Sequence, residues 1–211
     1  MLELVREQPV LRQRMALGAI AFGCFSTLWT SLSFLLAGDG GAGGGHYHYG
    51  NAAIGLFGLA GMAGALIAPI AGRLADRGHG RLAATATLLI LLLSWGLLAL
   101  GRTSLPALIA GIVVLDLGVQ GLHISNQSAV YTLAPEARSR LTTAYMVAYF
   151  LGGAVMSAAS SALFAASGWD AVCVLGAATA AVGLLVWLLT QRLEPARRVP
   201  SRVGPAAERA R

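Results

Sequence analysis

Asp116, Gln120, His123 and Gln127 are spaced by four, three and four residues inside a long apolar run, with Asn126 beside them. At 3.6 residues per turn this spacing puts the four on one helical face. A carboxylate, an imidazole and amides on one stripe can do two kinds of work. Asp116 can take up and release a proton, and His123 can relay one or bond a substrate hydroxyl. The stripe can also serve as a hydrogen-bonded seam between helices. Either way it is expensive against lipid, so it is expected to face a bundle interior or a water-filled cavity.

A milder stripe lies near the start of the chain. Ser26, Thr30 and Ser33 share a face, with Trp29 next to it. Hydroxyls beside an aromatic suit an uncharged or sugar-like solute, and interhelical hydroxyl bonding is the stronger alternative. Tyr145 and Tyr149, four apart, can line the same cavity or pack between helices. His46 and His48 flank Tyr47 in a Gly-rich stretch, but two imidazoles on such a loop make a poor metal site without further ligands. Cys24 and Cys173 fall inside apolar runs and read as small buried hydrophobes. No metal site and no cofactor are expected.

The elements that must position these groups are membrane spans. Of 211 residues, 56% are apolar and only 11% charged, against about 25% charged in a soluble domain. This excludes an ordinary soluble enzyme, a disordered chain and a disulfide scaffold. Each crossing of a ~30 Å hydrocarbon core takes about 20 apolar residues. The apolar runs predict six transmembrane helices over about 15–37, 51–72, 82–100, 105–131, 141–166 and 171–190, an all-α membrane protein. Residues 1–14 read as a polar N-terminal segment and 191–211 as an unstructured Arg- and Pro-rich tail. Gly168-Trp169-Asp170 predicts a tight turn between the last two spans. Gly55, Gly58, Gly61 and Gly64 recur every three residues, and Gly153, Ser157 and Ser161 every four, as faces for close helix approach. Pro69 favours a kink near the end of the second span.

All 15 basic residues are Arg, and they set the orientation. With six spans, 14 of the 15 fall on one side and only Arg102 on the other. The positive-inside rule then places both termini in the cytoplasm. The net charge of +6 reflects this distribution rather than nucleic-acid binding.

The loop after the second span reads Gly72-Arg73-Leu74-Ala75-Asp76-Arg77. It resembles the G-x-L-A-D-R signature that joins the second and third helices of a six-helix half in the major facilitator superfamily. The run from Gly118 to Gly153 resembles the C-terminal half of bacterial sugar- or drug-efflux permeases of that superfamily, and the stretch from Glu7 to Ala37 matches the start of that half. The resemblance covers about residues 7–190. It departs in the loop, where His79 stands at the family's usual Gly and only Arg81 keeps the final basic position.

The resemblance implies one half of a facilitator-type bundle in a bacterial inner membrane. It implies a gating loop of Gly72, Asp76, Arg77 and Arg81; the helical spacing itself gives the candidate proton or substrate site, Asp116, Gln120, His123, Asn126 and Gln127, with Ser26, Trp29, Thr30, Tyr145 and Tyr149 as candidate lining. The resemblance implies proton-coupled efflux of a small molecule by alternating access, with the bilayer, a proton, a small-molecule substrate and a second six-helix half as partners. That half is an N-terminal half or a second copy. Met1 falls where the family has its central cytoplasmic loop, so a truncated or alternatively started product is expected. Two other readings stand beside it. One is a non-transporting scaffold or subunit. The other is an intramembrane enzyme, which lacks support because neither G-x-S-G nor H-E-x-x-H occurs. No ATP-binding loop occurs either.

Overall fold

The computed structural model describes residues 2–38, 46–62, 80–133 and 137–193, and among these every regular element is helical. The elements are α1 (Leu2–Glu7), α2 (Pro9–Ala37), α3 (Asn51–Met62), α4 (Gly80–Leu100), α5 (Leu105–Tyr131) and α6 (Arg138–Thr190), followed by a short 3₁₀ turn, Gln191–Leu193. Four of them, α2, α4, α5 and α6, are long and apolar enough to cross a membrane. The expected second span is described only as far as Met62, and its remainder lies outside the described residues.

Local sequence accounts for the helix ends. Pro9 and Pro106 sit in the first turns of α2 and α5, where a missing N–H costs nothing. Helix α2 starts at Pro9, before the apolar span, and it carries Gln13 and Arg14 into the bundle. Gly38 closes it with φ 77°, a left-handed cap that only glycine adopts cheaply. Gly168, at φ 74° and ψ −164°, breaks the 53-residue α6. The chain reverses there. Tyr145 on the first arm and Gly183 on the second both lie against the start of α2, beside Gly18 and Ile20, while Phe164 meets Phe34 near its end. The second arm, 169–190, is about 33 Å long at 1.5 Å per residue.

Helix α2 runs through the middle, packed on α6 along one side and on α5 along another. In lipid, apolar burial gives little drive for helices to associate, so close approach and hydrogen bonds must hold them. Both are present. Gly152 lies on the backbone of Ala19, Gly23 on Met156 and Gly18 on the Tyr145 ring. Two hydroxyl pairs stitch the same seam, Thr30 to Ser157 at 2.7 Å and Ser31 to Ser160 at 2.6 Å, and Ser160 also donates to the Thr27 carbonyl at 2.7 Å. Helices α4 and α5 pack as closely, with Gly111 against Leu98 and Gly118 against the backbone of Leu91.

The core of Leu28, Leu32, Leu91, Trp95, Ile112 and Val172 fills the space between them. At the end away from the start of α2, Tyr47 donates to the Gly101 carbonyl (2.8 Å), Trp169 donates to the Leu98 carbonyl (2.8 Å), and Arg102 pairs with Asp170. Large apolar side chains such as Leu93, Leu151, Val174 and Leu189 stand exposed on the outer faces. That is the reverse of a water-soluble surface and matches a lipid-facing one.

Candidate functional site

Asp116 lies in the middle of α5 and is 3% exposed. It is the one acidic residue inside the spans read from the sequence. The indole N–H of Trp29, on α2, donates to its Oδ1 at 3.4 Å, a long bond. Over its other oxygen sits Gly61 of α3. A Cβ placed at Gly61 would lie 2.5 Å from Asp116 Oδ2 and 2.8 Å from Trp29 Cζ2. The carboxylate is therefore held where α2, α3 and α5 meet. The cost of ionising such a group is large unless it is paired and hydrogen-bonded.

Two turns further along α5 is a second polar cluster, about 10 Å from the first at 1.5 Å per residue. His123 Nδ1 and Tyr145 Oη share a 3.0 Å hydrogen bond. The Tyr149 ring lies 4.7 Å from the imidazole by centroid, and Phe22 stacks on Tyr149 at 4.4 Å. Gly18 makes the approach of Tyr145 possible, because a Cβ there would sit 2.6 Å from its ring. One turn on, the Arg14 guanidinium donates to Asn126 Oδ1 at 2.9 Å and lies over the Trp187 ring at 5.1 Å. Beside it Gln13 donates to Thr190 Oγ1 at 2.8 Å, joining the first and last long segments.

The stripe read from the sequence is divided by the packing. Asp116 and Asn126 are buried, His123 and Gln127 are half-buried, and Gln120 is exposed. Gln120 thus points away from the described bundle, although it shares the Asp116 face. His123, Tyr145 and Tyr149 are brought together, and Trp29 is brought to Asp116. Thr30 is engaged in the seam with Ser157. Ser26 is half-buried close to Gly153. Arg81 is exposed at the start of α4. Gly72, Asp76 and Arg77 of the expected gating loop lie outside the described residues.

Sequence reasoning missed Arg14, which is 1% exposed, and the adjacent Gln13. Both fall within residues 1–14, which read by composition as a polar N-terminal segment. The signal that could have found them is Pro9, whose fixed φ marks a first helical turn six residues before the apolar run begins. Among the described residues no three His, Cys, Asp or Glu side chains are grouped closely enough to hold a metal.

Among the described residues the arrangement is that of a membrane bundle with one buried carboxylate and a neighbouring row of His, Tyr, Asn and Arg. Known proteins resemble this chain. The Major Facilitator Superfamily profile matches residues 11–210. A putative uncharacterized transporter of Escherichia coli K12, YgaY, is 51% identical over 178 residues, which cover 84% of this chain and 44% of that protein. The probable transporter SCO4007 of Streptomyces coelicolor is 36% identical over 195 residues, covering 92% of this chain and 43% of that protein. The chain thus spans less than half the length of the curated relatives it matches. No solved structure matches it. Profile, relatives and apolar helices agree on a multi-pass membrane protein, and the chain belongs to the major facilitator superfamily.

Proposed function

We propose that the chain is a six-helix C-terminal half of a secondary carrier that exports a small molecule, such as a drug or sugar, in exchange for protons. Substrate is held between this bundle and a second six-helix half, and rocking of one on the other gives alternating access. The second half belongs to the same longer protein or to a companion copy. The bundle sits in a bacterial inner membrane with its Arg-rich ends in the cytoplasm. Gly72, Asp76, Arg77 and Arg81 latch the cytoplasmic side. His123, Asn126 and Gln127 serve the substrate or the proton, with Trp29, Tyr145 and Tyr149 along the path.

The observation that carries this reading is the buried Asp116 carboxylate, which among the described residues touches two other helices and accepts one long hydrogen bond. A group of this kind is costly to keep in a membrane and marks ion and substrate pathways.

The test is proton movement by the complete carrier in proteoliposomes loaded with a pH-sensitive dye. A panel of drugs and sugars is added under an imposed pH gradient. At least one compound is expected to drive proton flux, and Asp116→Asn is expected to abolish that flux while the protein still elutes as a folded species. Equal flux from Asp116→Asn and wild type would overturn the assignment.

A further inference from the structure

Helix α3 is held to the bundle in a different way from the other helices. Its Leu56 and Leu59 are 64% and 61% exposed, and Cβ atoms built at Gly50, Gly55 and Gly58 would meet open space. Ile54 and Phe57 lie against the core, with Phe57 6.2 Å from the Tyr49 ring by centroid. At Gly61 it comes close to the bundle, with the bare Cα seated against Asp116 and Trp29. Helix α5, which carries Asp116, is the opposite case. Gly118 presses it onto the Leu91 backbone, where a Cβ would lie 3.1 Å from the nitrogen, and Gly111 presses it onto Leu98. Among the described residues, the carboxylate is on a closely packed helix, and it is covered by Trp29 of α2 and by Gly61 of α3, whose described part 51–62 presents Leu56 and Leu59 outward.

The covers are distinct. Oδ1 is met by the Trp29 indole and Oδ2 by Gly61. A Cβ at position 61 would come within 2.5 Å of Oδ2 and 2.8 Å of the Trp29 ring, so the carboxylate, the indole or α3 must shift. We propose that Gly61 is a positioning residue: its missing side chain lets α3 close over Asp116, and displacement of α3 opens the carboxylate to water or to a hydrogen-bonding substrate group. This rests on the reading of Asp116 as the exchanging group.

The experiment measures access to Asp116 directly, with the carrier in its membrane. A carboxylic acid adds across a carbodiimide and rearranges to an N-acylurea, so the whole reagent mass is gained and nothing leaves. Adducts on the Asp116 peptide are quantified by mass spectrometry with a lipophilic carbodiimide and with a water-soluble one. Wild type is expected to react with the lipophilic reagent and poorly with the water-soluble one. Gly61→Ala is expected to raise the water-soluble rate roughly tenfold, the population shift that one overpacked methyl can supply. Phe57→Ala, which loosens α3 without adding bulk, is expected to raise it in the same direction and covers the case in which Gly61→Ala does not fold.

Gly58→Ala is the matched control, with the same change in helix propensity and no neighbour to strike. It is expected to leave the rate unchanged. If Gly61→Ala and Phe57→Ala label like wild type, or if Gly58→Ala rises equally, the lid is wrong and the Asp116 reading survives. If Asp116 in wild type takes neither reagent at any pH, the Asp116 reading itself fails, and the lid with it.

Discussion

Replacing Gly176 by Ala should destabilise the bundle even though the change favours helix formation. Gly176 lies on the second arm of α6 with its Cα against the face of the Trp95 indole, and an added Cβ would overlap three ring carbons. Trp95 is 1% exposed, packed in the core with Leu91, Leu98 and Val172, so it has no free volume to retreat into. Two effects oppose each other. Gly→Ala in a helix interior is worth about 1 kcal/mol in favour of the variant. Forcing a methyl into a packed core costs about 1–3 kcal/mol, and more where the neighbour is a rigid ring. The overlap with three ring atoms puts this site at the upper end, so a net loss of about 1–2 kcal/mol is expected.

The protein carries its own reporters. Cys24 and Cys173 are both buried and sit in this same core. A thiol-reactive dye that fluoresces on coupling therefore reads the melting of the packing around Trp95 as the detergent-solubilised protein is warmed. The melting temperature of Gly176→Ala is expected to fall by several degrees. Gly58→Ala, where the new methyl meets nothing, is expected to melt at or above wild type. Gly176→Ala melting as high as Gly58→Ala would refute the argument that the Gly176–Trp95 contact sets this helix spacing.

Three further outcomes are expected. Tyr145→Phe keeps the ring in the Gly18 groove and removes the hydroxyl bonded to His123, so a loss of about 0.6–2 kcal/mol is expected in the same melting assay. Thr30→Val with Ser157→Ala removes one of the two hydroxyl pairs between α2 and α6; a double-mutant cycle should give a coupling of about 0.6 kcal/mol with transport retained, because both groups face each other across a seam.

Tyr47, in the loop before α3, supplies a pH dependence. Burial, and next the neighbouring Tyr49, raise its hydroxyl above the ordinary tyrosine value. A raised folded-state value means the neutral form is favoured in the folded protein. Its contribution is present in full below about pH 10 and is lost as pH rises further. Melting temperature should fall above that pH in wild type, and Tyr47→Phe should fall less steeply after losing its bond to Gly101 at all pH values.

Much of the architecture is legible without coordinates, because its signals are local or compositional. Apolar runs of span length separated by charged or Gly-rich stretches identify membrane helices, and a bilayer admits few other structures. The break at Gly168 is written in Gly168-Trp169-Asp170, since a left-handed φ needs glycine. A carboxylate amid apolar residues marks Asp116 by its cost alone. Arg14 shows the limit of this reading. Counted by position it belongs with the solvated arginines near the chain start, yet it is buried against Asn126 and Trp187, residues more than 100 positions away.

The division between pattern and packing is sharpest where identical residues meet different surroundings. Gly58 and Gly61 belong to one repeat on one helix, but only Gly61 closes on a carboxylate. Asp116 and Gln120 share a helical face, but one is buried and the other exposed. Thr30 carries the same hydroxyl whether it lines a cavity or bonds Ser157. Periodicity specifies the direction of a side chain from its own helix axis and depends only on the chain's covalent geometry. What stands opposite that side chain depends on the separation and rotation of neighbouring helices. Those are set by sums of many small contacts between residues far apart in the chain, which no local pattern records.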